Sequence, residues 1–455
     1  MKNSVKRLLA LVMTCAMLSV CALAADFTSC ADELHDLGLF QGTGTDANGN
    51  PVYDLDSAPT RAQAVTMLVR LLGKETEAQE GTWEVPFTDL DGANAWALPY
   101  VGYAYANGLT NGESDTLFGT NNACSSQMYC TLVLRALGYD DAAGDFTYDN
   151  ALTFATEKGL LDSFLTSGEF LRDEVAAISY AALVTPMNGS ETLLVEKLVE
   201  EGAVDATGAQ ALIDKANLYA EYCALNASVE NQAESIDMTT TMNMTMSMAD
   251  VQVPMTVEAN QKVALTEEGF EMATTTAVTA MGTPQNVEVY VVDGVMYTND
   301  GTNKVKAPYT AVDDMLGMAQ LSSAAASPLY YISDITKTEA EDGAVTYTVT
   351  MSGELLSSLT ESVMAAMGQS QDMAGVAMGN VTMSMTYVDD VLTSLAATMP
   401  MSVTAEGQTV DMDIELTSVI NAMGDDVVIE FPEDLDTYVE MPATETDAPI
   451  ADQAE

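Results

Sequence analysis

Two hydrophobic periods divide the chain. Up to about residue 205, apolar side chains recur at helical spacing in short runs closed by glycine; from Met238 they alternate with polar ones in twos. The clearest helical run spans residues 62–72, with Thr60 placed to cap it and Gly73 to stop it. A second run, 128–138, ends the same way, and setting its Arg135 on Arg70 gives an offset of 65 residues, which also lays Phe118 on Tyr53, Ala123 on Ala58 and Gly138 on Gly73. A third copy reads through residues 170–183, after a helical stretch at 150–161. The loop Gly38-Leu39-Phe40-Gln41-Gly42 is matched by Gly108-Leu109-Thr110-Asn111-Gly112. Internal repetition of this kind predicts copies that stack into one core.

A polar, Ala-containing stretch at 217–232 predicts a connecting helix, and the period then becomes two. Met238, Thr240, Met242, Met244, Met246 and Met248 fall on one face of a strand, with Thr239, Thr241, Asn243, Thr245 and Ser247 on the other. Asp293-Gly294 between two β-branched runs is a hairpin signal. Further strands are predicted at 344–351, 381–388, 391–398, 401–405 and 409–416, and helices at 315–326 and 354–367. The expected fold is multidomain: an N-terminal all-α module of three repeats (25–80, 81–140, 141–205), a linker helix (206–237), and a C-terminal α+β domain (238–441) with a large antiparallel sheet and covering helices. An acidic tail, 442–455, has no core residues and is expected to be disordered.

Composition sharpens this division. All but six of the 29 Met lie from Met238 onward, whereas both Trp, Trp83 and Trp96, lie before it. Lys2, Lys6 and Arg7 precede an apolar run at 8–23 that ends in Ala22-Leu23-Ala24, so residues 1–24 predict a secretory signal peptide and a mature start near Ala25. A lipoprotein signal at Leu18-Ser19-Val20-Cys21 is the alternative, and the bulk of Val20 argues against it. No later segment is both long and apolar enough to predict a transmembrane span. The formal charge of −53 becomes −56 once the three basic residues of the leader are lost. Such a field disfavours nucleic acid and anionic lipid as partners, and requires any acidic wall polymer to meet a locally basic groove.

Candidate chemistry is sparse. His35 is the only histidine, which leaves no His-based triad or His-ligated zinc site, and no cofactor is implied. Cys30, Cys124, Cys130 and Cys223 are spaced unlike any disulfide scaffold and read as small core residues, with one bridge open as an alternative. Asp46, Asn48 and Asn50 suggest a calcium loop, but Pro51 and Ser57 stand where Gly and Glu are needed, so an Asx-rich turn is expected and no metal. Carboxylate pairs able to hydrolyse a glycosidic bond arise by chance in so acidic a chain, and none stands in a motif. The chain reads as a non-enzyme.

The repeats resemble the S-layer homology family. Phe87-Thr88-Asp89-Leu90, Trp96-Ala97, Ala106-Asn107-Gly108-Leu109, Gly112 and Phe118 follow the family's opening Phe-x-Asp, its Trp-Ala pair and its Gly-Leu-x-x-Gly turn in order, and Thr60-Arg61-Ala62-Gln63 resembles its Thr-Arg-Ala-Glu signature with Gln for Glu. The resemblance covers residues 27–185. It implies a pseudo-threefold helical module, on an exported surface protein, that binds secondary cell-wall polysaccharide, often pyruvylated, in grooves between repeats. Thr60, Arg61, Gln63, Asp89, Trp96, Gly112 and Arg172 are the residues it nominates. An Arg fork at a helix start suits an acidic sugar, and Trp96 offers either a face to a sugar ring or a core aromatic. The second copy has Ser125-Ser126-Gln127-Met128 where the signature belongs, so at most two grooves keep an Arg.

The C-terminal domain resembles the LolA/LppX-like lipoprotein carriers, through the paired strands around Asp293-Gly294 and the ending Asp425-Asp426-Val427-Val428-Ile429-Glu430-Phe431-Pro432. That likeness implies a half-barrel enclosing an apolar ligand, for which adaptable Met side chains are suited; ordinary packing between sheet and helices explains the Met stripe equally.

Overall fold

The computed structural model describes residues 26–161, 169–230, 235–248, 251–266, 269–280, 282–309, 328–353, 376–405 and 408–440. The leader, the acidic tail and the expected helices at 315–326 and 354–367 lie outside the described residues.

In the N-terminal half, three helices form the centre: α2 (Arg61–Leu71), α5 (Ser126–Ala136) and α7 (Arg172–Leu183). Each packs against the other two. Three shorter helices surround them, α1 (Thr28–Asp36), α4 (Leu98–Ala106) and α6 (Ala151–Glu157), with α3 (Glu75–Glu80) and α8 (Leu194–Glu200) on the outside. The packing runs in a cycle: α1 lies on α7, α4 on α2 and α6 on α5. Each of α1, α4 and α6 thus covers a central helix other than the one that follows it in the chain. The central helices are apolar nearly all round, as helices enclosed on several sides must be; α7 buries eleven of its twelve residues.

Helix α9 (Ala206–Glu230) runs directly from the helical half to the sheet, where it packs against strand β9 (Ile332–Glu339). Its Tyr222 ring lies 5.9 Å from Tyr347, and Tyr387 donates its hydroxyl to Asn226. At the other end of the contact, Phe27 meets Tyr330 edge-on at 5.2 Å. One continuous apolar core therefore includes residues from both halves.

After the two-residue strands β1 (Gly44–Thr45) and β2 (Pro51–Val52), the other strands form one sheet: β3 (Ser235–Met248), β4 (Val251–Thr266), β5 (Gly269–Ala280), β6 (Thr283–Val292), β7 (Val295–Asn299), β8 (Lys304–Pro308), β9, β10 (Val345–Met351), β11 (Val376–Met378), β12 (Val381–Val388), β13 (Val391–Ala405), β14 (Gln408–Met423) and β15 (Val439–Glu440). Their order is β15-β8-β7-β6-β5-β4-β3-β14-β13-β12-β10-β9, with β11 beside β13. All pairs are antiparallel except β15 with β8. Met244 sits opposite Met255 on one side and Ile414 on the other, and this cluster with Met242 is the best-buried part of the alternating face. Asp293-Gly294 turns with φ of 52° and 70°, the positive pair that a two-residue hairpin requires.

Two expected strands, 391–398 and 401–405, are one. Pro400 does not break β13 because its carbonyl accepts from Gly379 N–H (2.8 Å), so its missing N–H faces the same side, where the neighbour changes from β12 to β11. All four cysteines described are free. Burial pushes the Cys124 thiol up to about 12 and the Cys223 thiol to about 11, which makes them inert packing groups. Asp46 forms the Asx turn, its Oδ1 accepting the N–H groups of Asn48 and Asn50 at 2.8 Å each.

Candidate functional site

The starts of the central helices are built alike. Thr60 Oγ1 accepts the Gln63 N–H (3.3 Å) while Thr60 N–H donates to Gln63 Oε1 (2.8 Å), so Gln completes the capping box as Glu would. Ser125 Oγ accepts from Met128 N–H at 3.2 Å. In α7, Glu174 reaches back to the Leu171 N–H (2.7 Å), but leucine offers no acceptor in return. The first helical residues are Arg61, Ser126 and Arg172.

Arg61 and Arg172 dock onto loops distant in the chain, 118–122 and 53–57, through the same bonds. Arg61 N–H donates to Asn122 O (2.9 Å) and Ala62 N–H to Thr120 O (3.3 Å), while Arg61 Nε donates to Phe118 O (2.9 Å). Arg172 N–H donates to Ser57 O (3.0 Å) and Asp173 N–H to Leu55 O (3.2 Å), while Arg172 Nε donates to Tyr53 O (2.9 Å). Each acceptor in the second set lies 65 residues before its counterpart in the first, the repeat offset of the sequence.

The two guanidinium groups differ in what remains. Both lie over a ring, Arg61 over Phe118 and Arg172 over Phe40, but Arg61 also directs Nη1 at Met128 Sδ (3.0 Å) and Nη2 at Asn111 O (3.4 Å), and has Glu113 Oε1 3.5 Å from Nε. For Arg172, among the described residues, no hydrogen bond takes a proton from either Nη and no carboxylate comes within ion-pair distance. Burial pulls its pKa below the usual guanidinium value, with the exposed Asp54 opposing at longer range and Arg70 adding to the depression.

Arg172 lines a cleft of about 230 Å³ with Gln41, Thr43, Gln63, Arg70 and Trp96. Trp96 is 47 % exposed, so it belongs to this wall and not to the core. Arg70 is neutralised in place: Glu75 Oε1 accepts from its Nε (3.0 Å) and Nη2 (2.9 Å), and also from the Tyr100 hydroxyl (2.6 Å). Burial raises the Glu75 pKa, but Tyr100 and Arg70 outweigh it and hold the carboxyl below its ordinary value.

Of the nominated residues, Gln63, Trp96 and Arg172 therefore converge, although they lie far apart along the chain. Arg61 and Gly112 lie at the other junction. Asp89 faces neither: its carboxylate accepts the N–H groups of Phe118 (2.8 Å), Gly119 (2.8 Å) and Thr120 (2.9 Å) and the Thr120 hydroxyl (3.0 Å). Burial pushes its pKa up, and these donors more than reverse that. Gly112 leaves no room for a side chain, since a Cβ would meet Phe87 Cε1 at 2.4 Å and the Leu117 carbonyl at 2.6 Å. Arg70, Gln41 and Thr43 were not among the nominated residues, although Arg70 matches Arg135 across the repeat and Gln41 lies in the matched glycine loop. A larger open depression of about 540 Å³, beside Tyr139, Lys158 and Met187, contains none of the nominated residues.

Comparison with known proteins agrees with the motifs. Residues 86–125 match the S-layer homology domain, and residues 224–436 match a family of unknown function, DUF6612. The chain thus carries an S-layer homology domain. It is 31% identical over 198 residues to a cell surface protein of Thermoanaerobacter kivui, covering 41% of this chain and 25% of that one. It is 28% identical to the middle cell wall protein of Brevibacillus brevis, covering 31% and 13% respectively. The chain therefore spans a quarter or less of the length of these relatives. A solved DUF1329 family protein from Desulfovibrio piger aligns with 46% of this chain and 93% of its own at 8% identity, with a TM-score of 0.18, too low to carry an argument.

Proposed function

We propose that this chain is a non-catalytic protein of the bacterial cell surface, held on the wall non-covalently by three S-layer homology repeats, and that the Arg172 cleft binds an acidic secondary cell-wall polysaccharide. The observation that carries the reading is the pairing of a buried guanidinium, both Nη groups without a hydrogen-bond acceptor among the described residues, with an exposed Trp96 in one cleft. The planar fork offers two parallel charge-assisted bonds to a sugar carboxylate. The indole supplies an apolar face for the ring beside it. In a chain of net charge −53, a locally basic cleft is what lets a polyanion approach at all. The cyclic docking of the helices and the shared offset support the three-repeat reading, and the relatives' surface and wall names support the location. The β-rich half is then displayed outward.

The test is cosedimentation of the full chain with purified sacculi, and with pyruvylated polysaccharide released from them. Wild type should bind. Trp96→Ala and Arg172→Met, the latter keeping the aliphatic bulk, should each weaken binding at least about tenfold, the value of one charge-assisted pair or one stacked ring. A wild type that stays in the supernatant overturns the reading.

A second reading concerns the sheet. Met242, Met244, Met255 and Ile414, flanked by Met246, Met399 and Met401, gather on one face, and methionine adapts to varied apolar shapes. An apolar ligand carried there would appear in native mass spectra of the full chain after mild extraction, and its consistent absence would retire this reading.

A further inference from the structure

Resting on the cleft reading above, we propose that Glu113 is an internal substitute for the ligand carboxylate at the Arg61 junction, and that it confines acidic-sugar binding to the Arg172 cleft.

The two junctions share a frame. The loop match that lays Gly112 on Gly42 lays Asn111 on Gln41 and Glu113 on Thr43. Thr43 is short and turns its hydroxyl to Val52 O (3.1 Å), so no anionic group projects from that loop toward Arg172. At the Arg61 junction, Glu113 places Oε1 3.5 Å from Arg61 Nε. Both its oxygens also accept from Asn122 Nδ2, at 3.0 and 2.8 Å. Asn122 occupies the position that Ser57 holds at the other junction.

The seat is shaped for this carboxylate. A Cβ on Gly119 would lie 2.3 Å from Glu113 Cδ and 2.5 Å from Oε2, so glycine is what leaves room for it. The corresponding residue at the Arg172 junction is Asp54, which does carry a side chain; both residues hold positive φ, 79° and 57°. With Glu113 gone, the remaining Nη contacts of Arg61 are a thioether and a carbonyl at 3.4 Å, weak acceptors that an incoming carboxylate displaces. The Nε bond to Phe118 O persists, as its counterpart to Tyr53 O does in the open cleft.

The experiment titrates the full chain with pyruvylated wall polysaccharide, using the same polymer after acid removal of pyruvate as the control. Arg172→Met should bind at least about tenfold more weakly than wild type. Adding Glu113→Thr to it should recover at least half of that loss on a logarithmic scale, and only for the pyruvylated polymer. Glu113→Gln, which keeps the contact to Asn122, should give the same recovery. The same gain on a Trp96→Ala background covers an Arg172→Met protein that fails to fold. Double variants that bind no better than their single parents overturn the Glu113 inference while leaving the cleft reading intact. Full binding by both Arg172→Met and Trp96→Ala instead overturns the cleft reading, and this inference with it.

Discussion

Replacing Asp89 tests how the Arg61 junction is held in shape. Asp89→Ala leaves the N–H groups of Phe118, Gly119 and Thr120 without their acceptor, and frees the hydroxyl of the buried Thr120. A hydrogen bond to a charged acceptor is worth about 1.5–3 kcal/mol when sheltered. Water replaces part of this at a half-buried loop, so roughly 1 kcal/mol for each orphaned N–H, or about 3 kcal/mol in all, is expected. The same loop supplies the Phe118 and Thr120 carbonyls that Arg61 and Ala62 bond to, so the loss falls on the α2 junction. Urea unfolding followed by tryptophan fluorescence isolates the effect, because both Trp residues lie in the helical half and the sheet contributes none. Asp89 is held below its ordinary pKa, so its contribution is present above the unfolded value of about 3.9 and disappears as pH falls through the folded one. Wild type and variant should therefore differ by about 3 kcal/mol at pH 7 and converge in acid. A difference below about 1 kcal/mol at pH 7, or one that persists unchanged at low pH, would refute the reasoning.

Two further outcomes follow from buried groups. Asp173 accepts the Phe27 N–H at 3.0 Å, and its pKa is raised to about 8 by burial first, against that hydrogen bond, with Glu174, Asp26 and Asp56 adding to the rise. Folding takes up a proton between the unfolded value near 4 and this one, so stability should fall with rising pH across that window, by at most about 1.4 kcal/mol per unit, and level off above pH 8. Asp173→Asn should flatten the profile, and parallel profiles would reject the assignment. Gly112→Ala forces a methyl against Phe87 and two backbone carbonyls, those of Leu117 and Ser114 at 2.6 Å each, and should cost about 1–3 kcal/mol in the same fluorescence assay; an unchanged midpoint would show the turn has room to give.

Features that depend on neighbouring residues along the chain were legible before any fold was known. The Thr60 cap, the glycine stops and the Asp293-Gly294 turn are local stereochemistry, and each stands where its residue type demands. The 65-residue offset was visible as similarity and reappears as hydrogen bonds, because equal sequences at equal stations dock alike. Strands β4 and β5 were not foreseen. The run of β4 does alternate, with Val251, Val253, Met255, Val257 and Val263 on one face and Gln252, Thr256, Glu258, Asn260 and Lys262 on the other, a signal that went unread. The run of β5 is mostly Ala and Thr with little contrast between its faces, and it is a strand because partners on each side satisfy the backbone. Helix α9 read as a connector for a similar reason: Tyr222 gains its meaning only from Tyr347 and Tyr387 on the sheet.

The sequence by itself determined the division into a helical and a β half, the S-layer homology signature, and the short list containing Arg61, Trp96 and Arg172. Which arginine is open was decided by tertiary structure. Arg61 and Arg172 have the same place on their helices and the same Nε bond, yet one faces Glu113 and the other faces Thr43 and Trp96 across a cleft. The difference is physical: whether a guanidinium is spent or available depends on the acceptors that the fold brings within about 3 Å of it, and those come from residues far away along the chain.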